Sequence, residues 1–270
     1  MIQVKNNIEI KNMDLLKSSP NEPFFHQQNV ELPWLMSRFE KYTFLSLLQY
    51  IKPKTSIEIG TYKGGSLQMI SQYSDKVVCL DINSSFVNNL RGKFKNVSFR
   101  IGDSKKTLPG LIQEINNSQE IPNFILIDGD HTEEGVKTDI NEVLKLIPKE
   151  PIYIIMHDSF NPACRKGILN ADWVDCPYVH YVEIDYVPGV YHYNSLGIRA
   201  RSMWGGFTLA ILLPEKNKEK LNIFQSQQAL FEATFKTSSH RLIDPIMKIV
   251  NSNTVVKKIY SEIKNRVITN

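Results

Sequence analysis

The chain has 270 residues, 42% hydrophobic and 22% charged, which fits one principal globular domain and excludes the disordered and fibrous classes. Its 32 Lys+Arg against 28 Asp+Glu hide an asymmetry: from Pro214 to Asn270 ten basic residues face five acidic ones, a solvated-helix pattern with no basic–aromatic interleaving to support nucleic-acid binding. The three cysteines, Cys79, Cys164 and Cys176, lack metal or disulfide spacing, and no run approaches the roughly 20 apolar residues of a membrane span, so a cytoplasmic protein with reduced thiols and no transmembrane segment is expected.

In chain order, the first predicted element is a helix from about Leu35 to Ile51, whose Phe39, Tyr42, Leu45 and Leu48 would pack on a sheet. From Lys54 onward, short β-rich runs alternate with amphipathic stretches, the pattern of βαβ units. The predicted strands are Thr55–Gly60, Lys76–Asp81, Val97–Gly102, Asn123–Asp128 and Pro151–Asp158. Between the last two, Val136, Ile140, Val143, Leu144 and Ile147 fall at helical spacing and Pro148 ends the stripe, which predicts a crossover helix.

Ser159 to Trp204 breaks this rhythm and is rich in aromatic and His residues, so a lid or substrate wall is expected over about 159–205. Further strand-like runs stand at Tyr178–Val187 and Gly206–Leu213. The tail holds two helices, the last with Ile246, Ile249, Val250, Val256, Ile259 and Ile263 on one stripe; docking on its own domain and a homodimer are both open for it. The expected fold is α/β: a Rossmann-like, mostly parallel seven-stranded sheet with helices on both faces. Helical extensions over 1–50 and 215–270 flank a central domain over 51–214.

The turn after the first strand reads Glu58-Ile59-Gly60-Thr61-Tyr62-Lys63-Gly64-Gly65-Ser66, an acidic residue followed by glycines at a helix entry. Glycines there let backbone approach a ligand, and the helix start offers free N–H groups. Asp81 ends the second strand, where a carboxylate can accept from both hydroxyls of a ribose. A dinucleotide and an adenosyl cofactor both fit Asp81. Tyr62 stands where a dinucleotide fingerprint needs its second glycine, and Glu58 would repel a phosphate, so a phosphate-free zwitterionic cofactor matches better.

Through Glu58, Gly60 and Gly64 the chain resembles the class I S-adenosylmethionine-dependent methyltransferases. That resemblance implies that Glu58 and the turn residues Gly60, Thr61, Tyr62, Gly64 and Ser66 hold the methionine part of the cofactor. Asp81 would hold its ribose, and Asp103 and Ser104 would flank its adenine, with Asp128 nearby. A narrower resemblance rests on IDGDHTEEGVKTD at Ile127–Asp139 and MHDS at Met156–Ser159. This pairing is similar to the metal-assisted O-methyltransferases of natural-product sugars, of the macrocin and cephalosporin hydroxylase-like type.

Asp128 and Asp158 end neighbouring predicted strands and would point into the crevice beyond the sheet, an oxygen-rich setting for Mg²⁺. His157 is the candidate third ligand, which would also admit Mn²⁺ or Fe²⁺. Asp128 and His131 are the candidate catalytic residues, with His131 as general base because an ordinary imidazole titrates near pH 6.5. His180, Tyr186, His192, Arg201 and Trp204 are expected on the substrate side.

The function expected from this set is metal-assisted methyl transfer to a hydroxyl of a sugar-containing metabolite or polysaccharide. A catechol-like small phenol as acceptor, or a nicotinamide-dependent oxidoreductase on the same fold, are the alternatives.

Overall fold

The computed structural model describes residues 31–118, 120–193, 195 and 200–241; the apolar stripe predicted from Ile246 to Ile263 lies outside them. The chain runs α1 (Arg38–Ile51), β1 (Thr55–Ile59), α2 (Leu67–Tyr73), β2 (Lys76–Asp81), α3 (Ser84–Leu90) and β3 (Val97–Ile101). It continues α4 (Ser104–Asn117), β4 (Phe124–Ile127), α5 (Glu133–Val143), β5 (Ile152–His157) and α6 (Pro162–Leu169). Then follow β6 (Val179–Val187), β7 (Val190–Tyr191), β8 (Met203–Trp204), β9 (Phe207–Leu212), β10 (Ile223–Phe224) and α7 (Gln228–Thr237).

An eight-stranded sheet in the order β10-β6-β9-β5-β4-β1-β2-β3 forms the middle layer, one short edge strand more than the expected seven. β1 to β5 are mutually parallel, and β9 enters antiparallel between β5 and β6. Strand alternation makes both faces apolar: Ile57, Ile59, Ile125 and Ile127 pack with α4, α5 and α6. Phe124 and Leu126 point the other way, into a second core with Phe44 and Leu48 of α1 and Leu67 and Ile70 of α2. The strand order reverses between β1 and β4, so the crevice beyond their carboxyl ends is the ligand position of an open α/β sheet. Among the described residues, no helix is long and apolar enough to cross a membrane.

Three expectations need correction. Helix α1 starts at Arg38, because Ser37 and Glu40 form a reciprocal capping box, and that phase turns Phe39 and Tyr42 outward at 77% and 65% exposure while Phe44 and Leu47 go inward with Leu45 and Leu48. Helix α5 stops at Val143, before Ile147, which is exposed. The segment after β5 is largely regular, since it holds α6 and the nine-residue β6. Beyond β6, the short β7–β8 hairpin is paired Val190↔Trp204 and Tyr191↔Met203.

Helix α7 is tied to the sheet by a buried ion pair. Arg165 of α6 donates to both carboxylate oxygens of Asp185 on β6 (2.6 and 3.1 Å), and its guanidinium lies 4.3 Å from the Phe231 ring centroid on α7. α7 in turn meets the hairpin, where the Tyr191 hydroxyl donates to the Thr237 carbonyl (3.0 Å).

Candidate active site

A cavity of about 1360 Å³ opens beyond the carboxyl ends of β1, β2, β4 and β5. Its wall takes in the glycine turn (Gly60, Thr61, Tyr62, Gly65, Ser66), Asp81 with Ile82 and Asn83, and Asp103 with Ser104. Gly60 has a φ of +84°, and a Cβ added there would stand 2.2 Å from the Asp128 carbonyl oxygen, so this turn and the end of β4 meet only through a glycine. Asp81 holds the turn in shape: its Oδ2 accepts from the N–H groups of Thr61 (2.9 Å) and Tyr62 (3.0 Å), and its Oδ1 from Asn83 (2.7 Å).

Glu58 does not face the cavity. Strand alternation sends its side chain to the α2 side, where it is fully buried, accepts from the Ser66 hydroxyl and lies 3.6 Å from the Cys79 sulfur. Burial pushes its carboxyl up to about 7 despite the hydrogen bonds from Ser66 and Thr61. It shapes the turn from beneath. Gly64 is likewise a packing position, its Cα side against Leu90 and Leu32.

At the other end of the cavity, three carboxylates and two imidazoles meet. His131 Nε2 lies 3.0 Å from Asp158 Oδ2 and 3.4 Å from Asp128 Oδ1. His157 Nδ1 lies 3.0 Å from Asp128 Oδ1, and its Nε2 lies 3.0 Å from Glu40 Oε1. Asp158 adopts φ +60° for a non-glycine residue, a left-handed turn that brings its Oδ1 under the N–H of Gly205 at 2.5 Å. Glu40 Oε1 also accepts from Gly206 N–H at 2.6 Å.

The electrostatics follow from this geometry. Hydrogen bonds to Asp128 and then Asp158 lift His131 to about 10, so its ring carries a proton at neutral pH. Burial works against charge on His157, but Asp128, Asp158 and Glu40 around it outweigh burial and raise its pKa well above the ordinary imidazole value. Burial likewise pushes the Asp128 and Glu40 carboxyls up, and this is more than reversed by His157 and His131 at Asp128 and by His157 with the Ser37 hydrogen bonds at Glu40, leaving both below the usual carboxylate range. His131 as placed is therefore a donor rather than the expected general base, and it becomes a base only when another cation takes up the charge of Asp128 and Asp158.

This end of the cavity offers oxygen donors to a divalent cation. Ligand atoms of Asp128, His157 and Asp158 lie within 4.8 Å of one another, and two carboxylates suit Mg²⁺ or Mn²⁺. Both nitrogens of His157 lie 3.0 Å from carboxylate oxygens, Nδ1 from Asp128 and Nε2 from Glu40, so in this arrangement its ring braces Asp128. Asp128 and Asp158 are the fitting pair.

Of the residues expected on the substrate side, His192 and Trp204 line the cavity, and Trp204 packs edge-on to His131 with ring centroids 5.9 Å apart. His180, Tyr186 and Arg201 do not line it. His180 lies over the Glu215 carbonyl at 2.8 Å, away from the crevice, because it sits at the opposite end of β6 from the hairpin. Glu40, Gly205 and Gly206 were missed by sequence reasoning; the available signal was Ser37-x-x-Glu40, a capping box that also places a carboxylate at the site.

Residues 57–159 match the Methyltransf_24 family, described as a methyltransferase domain. No curated protein matches the sequence. Among solved structures, an O-methyltransferase of Bacillus cereus in complex with SAH is similar, at 20% identity, covering 66% of this chain and 82% of that one with a TM-score of 0.49. The O-methyltransferase TomG of Streptomyces achromogenes, involved in tomaymycin synthesis, aligns at 15% identity over 67% of this chain and 82% of its own, TM-score 0.49. The N-methyltransferase NodS of Bradyrhizobium japonicum aligns at 10% identity over 66% and 98%, TM-score 0.42.

The family match marks residues 57–159 as a methyltransferase domain, and the strand order is that of a Rossmann-like α/β fold. The matched segment holds Glu58 through Asp158, while Glu40 and the β7–β8 hairpin come from outside it.

Proposed function

We infer that this chain moves the methyl group of S-adenosylmethionine to a hydroxyl oxygen of a small or glycosidic acceptor. The observation that carries this reading is the joining, in one cavity, of the glycine turn with its Asp81 brace and the Asp128/His131/Asp158 cluster. The acceptor oxygen attacks the sulfonium methyl carbon, the carbon–sulfur bond breaks, and its electron pair stays on sulfur as S-adenosylhomocysteine forms. The hydroxyl proton leaves as that bond forms, to His131 once the charge of Asp128 and Asp158 is taken up by a divalent cation, and from there to solvent.

Thr61, Tyr62, Ser66, Asp81, Asp103, Ser104 and Asp128 are assigned to the cofactor, whose zwitterionic end meets the N–H groups at the α2 entry. Asp128 and Asp158 are assigned to a divalent cation, Mg²⁺ before Mn²⁺, which would supply Lewis-acid charge that lowers the cost of ionising the acceptor hydroxyl. His131, between those carboxylates and beside Trp204, orients the acceptor and is the group nearest to its proton. The acceptor class that best fits the resemblance is a sugar-bearing metabolite or polysaccharide, ahead of a catechol-like phenol.

Calorimetric titration separates this from dinucleotide chemistry: S-adenosylhomocysteine binds and NAD(H) does not, and the reverse would sink the reading. With an acceptor in hand, EDTA should abolish methyl transfer and Mg²⁺ or Mn²⁺ restore it; full turnover in chelator removes the cation from the scheme.

A further inference from the structure

The cavity floor is charged, but part of its rim is not. Leu35 and Phe39 line the cavity and are 63% and 77% exposed, and Val190, also lining it, is 39% exposed. Large side chains this open, gathered at the mouth of one cavity, mark a surface built to be covered.

These residues come from two elements that meet. Glu40 follows Phe39, Gly205 follows Trp204, and a Cβ on Gly205 would stand 2.7 Å from Glu40 Oε1. Phe39 and Trp204 are thus each one residue from the same contact. Val190 pairs with Trp204 across the hairpin, so the two share a face. Leu35 belongs to the stretch before α1, which lies on the glycine turn, since a Cβ on Gly65 would stand 2.3 Å from the Pro33 carbonyl oxygen. The apolar rim therefore runs from above the cofactor turn to the Trp204–His131 contact at the acidic floor.

The space is large as well. At about 1360 Å³ the cavity exceeds the upper end of single-ligand pockets, about 1,000 Å³, so it holds an acceptor of some size beside the cofactor.

Resting on the methyl-transfer reading, we propose that the acceptor is amphipathic: its reacting hydroxyl enters towards Asp128, His131 and Asp158 while an alkyl or aryl portion lies on Leu35, Phe39, Val190 and Trp204. A bare sugar or a bare catechol uses only half of this site. The selecting residues are those of the rim, outside the segment that matches the methyltransferase family.

Two homologous series test this on the full-length chain loaded with S-adenosylhomocysteine: methyl, butyl, hexyl and octyl β-glucosides, and catechol with 4-alkylcatechols, all below micelle-forming concentrations and read by ligand-observed NMR and calorimetry. In at least one series the affinity should climb with chain length, by up to about fourfold per methylene where the chain is covered. Phe39→Ser, at an exposed position, should flatten the climb while S-adenosylhomocysteine affinity stays unchanged. A flat dependence in both series, or no binding in either, overturns the proposal. So does light scattering that shows a dimer which the Phe39→Ser change dissociates, since the rim would then belong to a second copy. Failure of S-adenosylhomocysteine itself to bind is a separate result and strikes the methyl-transfer reading instead.

Discussion

Glu40 shows how one side chain can serve two masters. It closes the first turn of α1 through Ser37, and the same carboxylate reaches His157 and Gly206 from a position 1% exposed. Glu40→Gln removes the charge that faces His157, and by the usual effect of such supporting partners should lower divalent-cation affinity or turnover about 10- to 100-fold. Parallel titrations with Mn²⁺ and S-adenosylhomocysteine check this, since the second should not move. Gly60→Ala should cost both folding stability and cofactor affinity, because the added carbon meets backbone at 2.2 Å; a melting curve and a titration on one preparation measure the two losses.

Glu58 carries a pH dependence. Its carboxyl sits at about 7 in the folded chain against an ordinary 4.5, so between those values the folded chain keeps a proton that the unfolded chain has lost. Stability should be full below pH 4.5 and fall as pH rises towards 7, by an amount on the order of a few kcal/mol. Asp139, raised to about 6 chiefly by burial, adds a slope of the same sign, so the informative comparison is denaturant midpoints against pH for the parent and Glu58→Gln. A slope unchanged by that substitution contradicts the assignment.

Among the elements, the strands were legible in the sequence because each is a short β-rich run bounded by turn residues, and β1 to β5 sit within a residue or so of where the pattern put them. Helix α1 was legible as a helix but not in its phase: Phe39 and Tyr42 share the spacing of a core stripe, and only the Ser37–Glu40 capping box settles which face is buried. Similarly, the strand-like run at Tyr178–Val187 marked β6 but not the partners of its acids: Asp185 meets Arg165, 20 positions away, and Glu183 accepts from Ser226 N–H, 43 positions away. Arg165→Ala strands the Asp185 charge in the interior and should cost about 3–5 kcal/mol, loosening α7 and the hairpin it braces. Denaturant unfolding together with hydrogen exchange at α7 would show it.

For the molecule as a whole, the glycine-turn end of the cavity was readable because Gly60, Thr61, Tyr62, Ser66, Asp81, Asp103 and Ser104 lie in one stretch from β1 to α4, where local spacing encodes local geometry. The acidic end was not. Glu40 and His157 are 117 positions apart, Glu40 and Gly206 166, and no spacing rule spans such gaps. His131 and His157 were visible as chemistry, but their protonation depends on three carboxylates that converge only in the folded chain.

The place of β9 bears on how this protein is made. It is slotted between β5 and β6, both of which leave the ribosome earlier, and its neighbours Gly205 and Gly206 supply the amides that meet Asp158 and Glu40. A nascent chain that stops short of Phe207 has an unfilled gap in its sheet and an open active-site floor. The glycine turn and Asp81 are already present by then, so the two ends of the cavity are completed in chain order, the acidic end last.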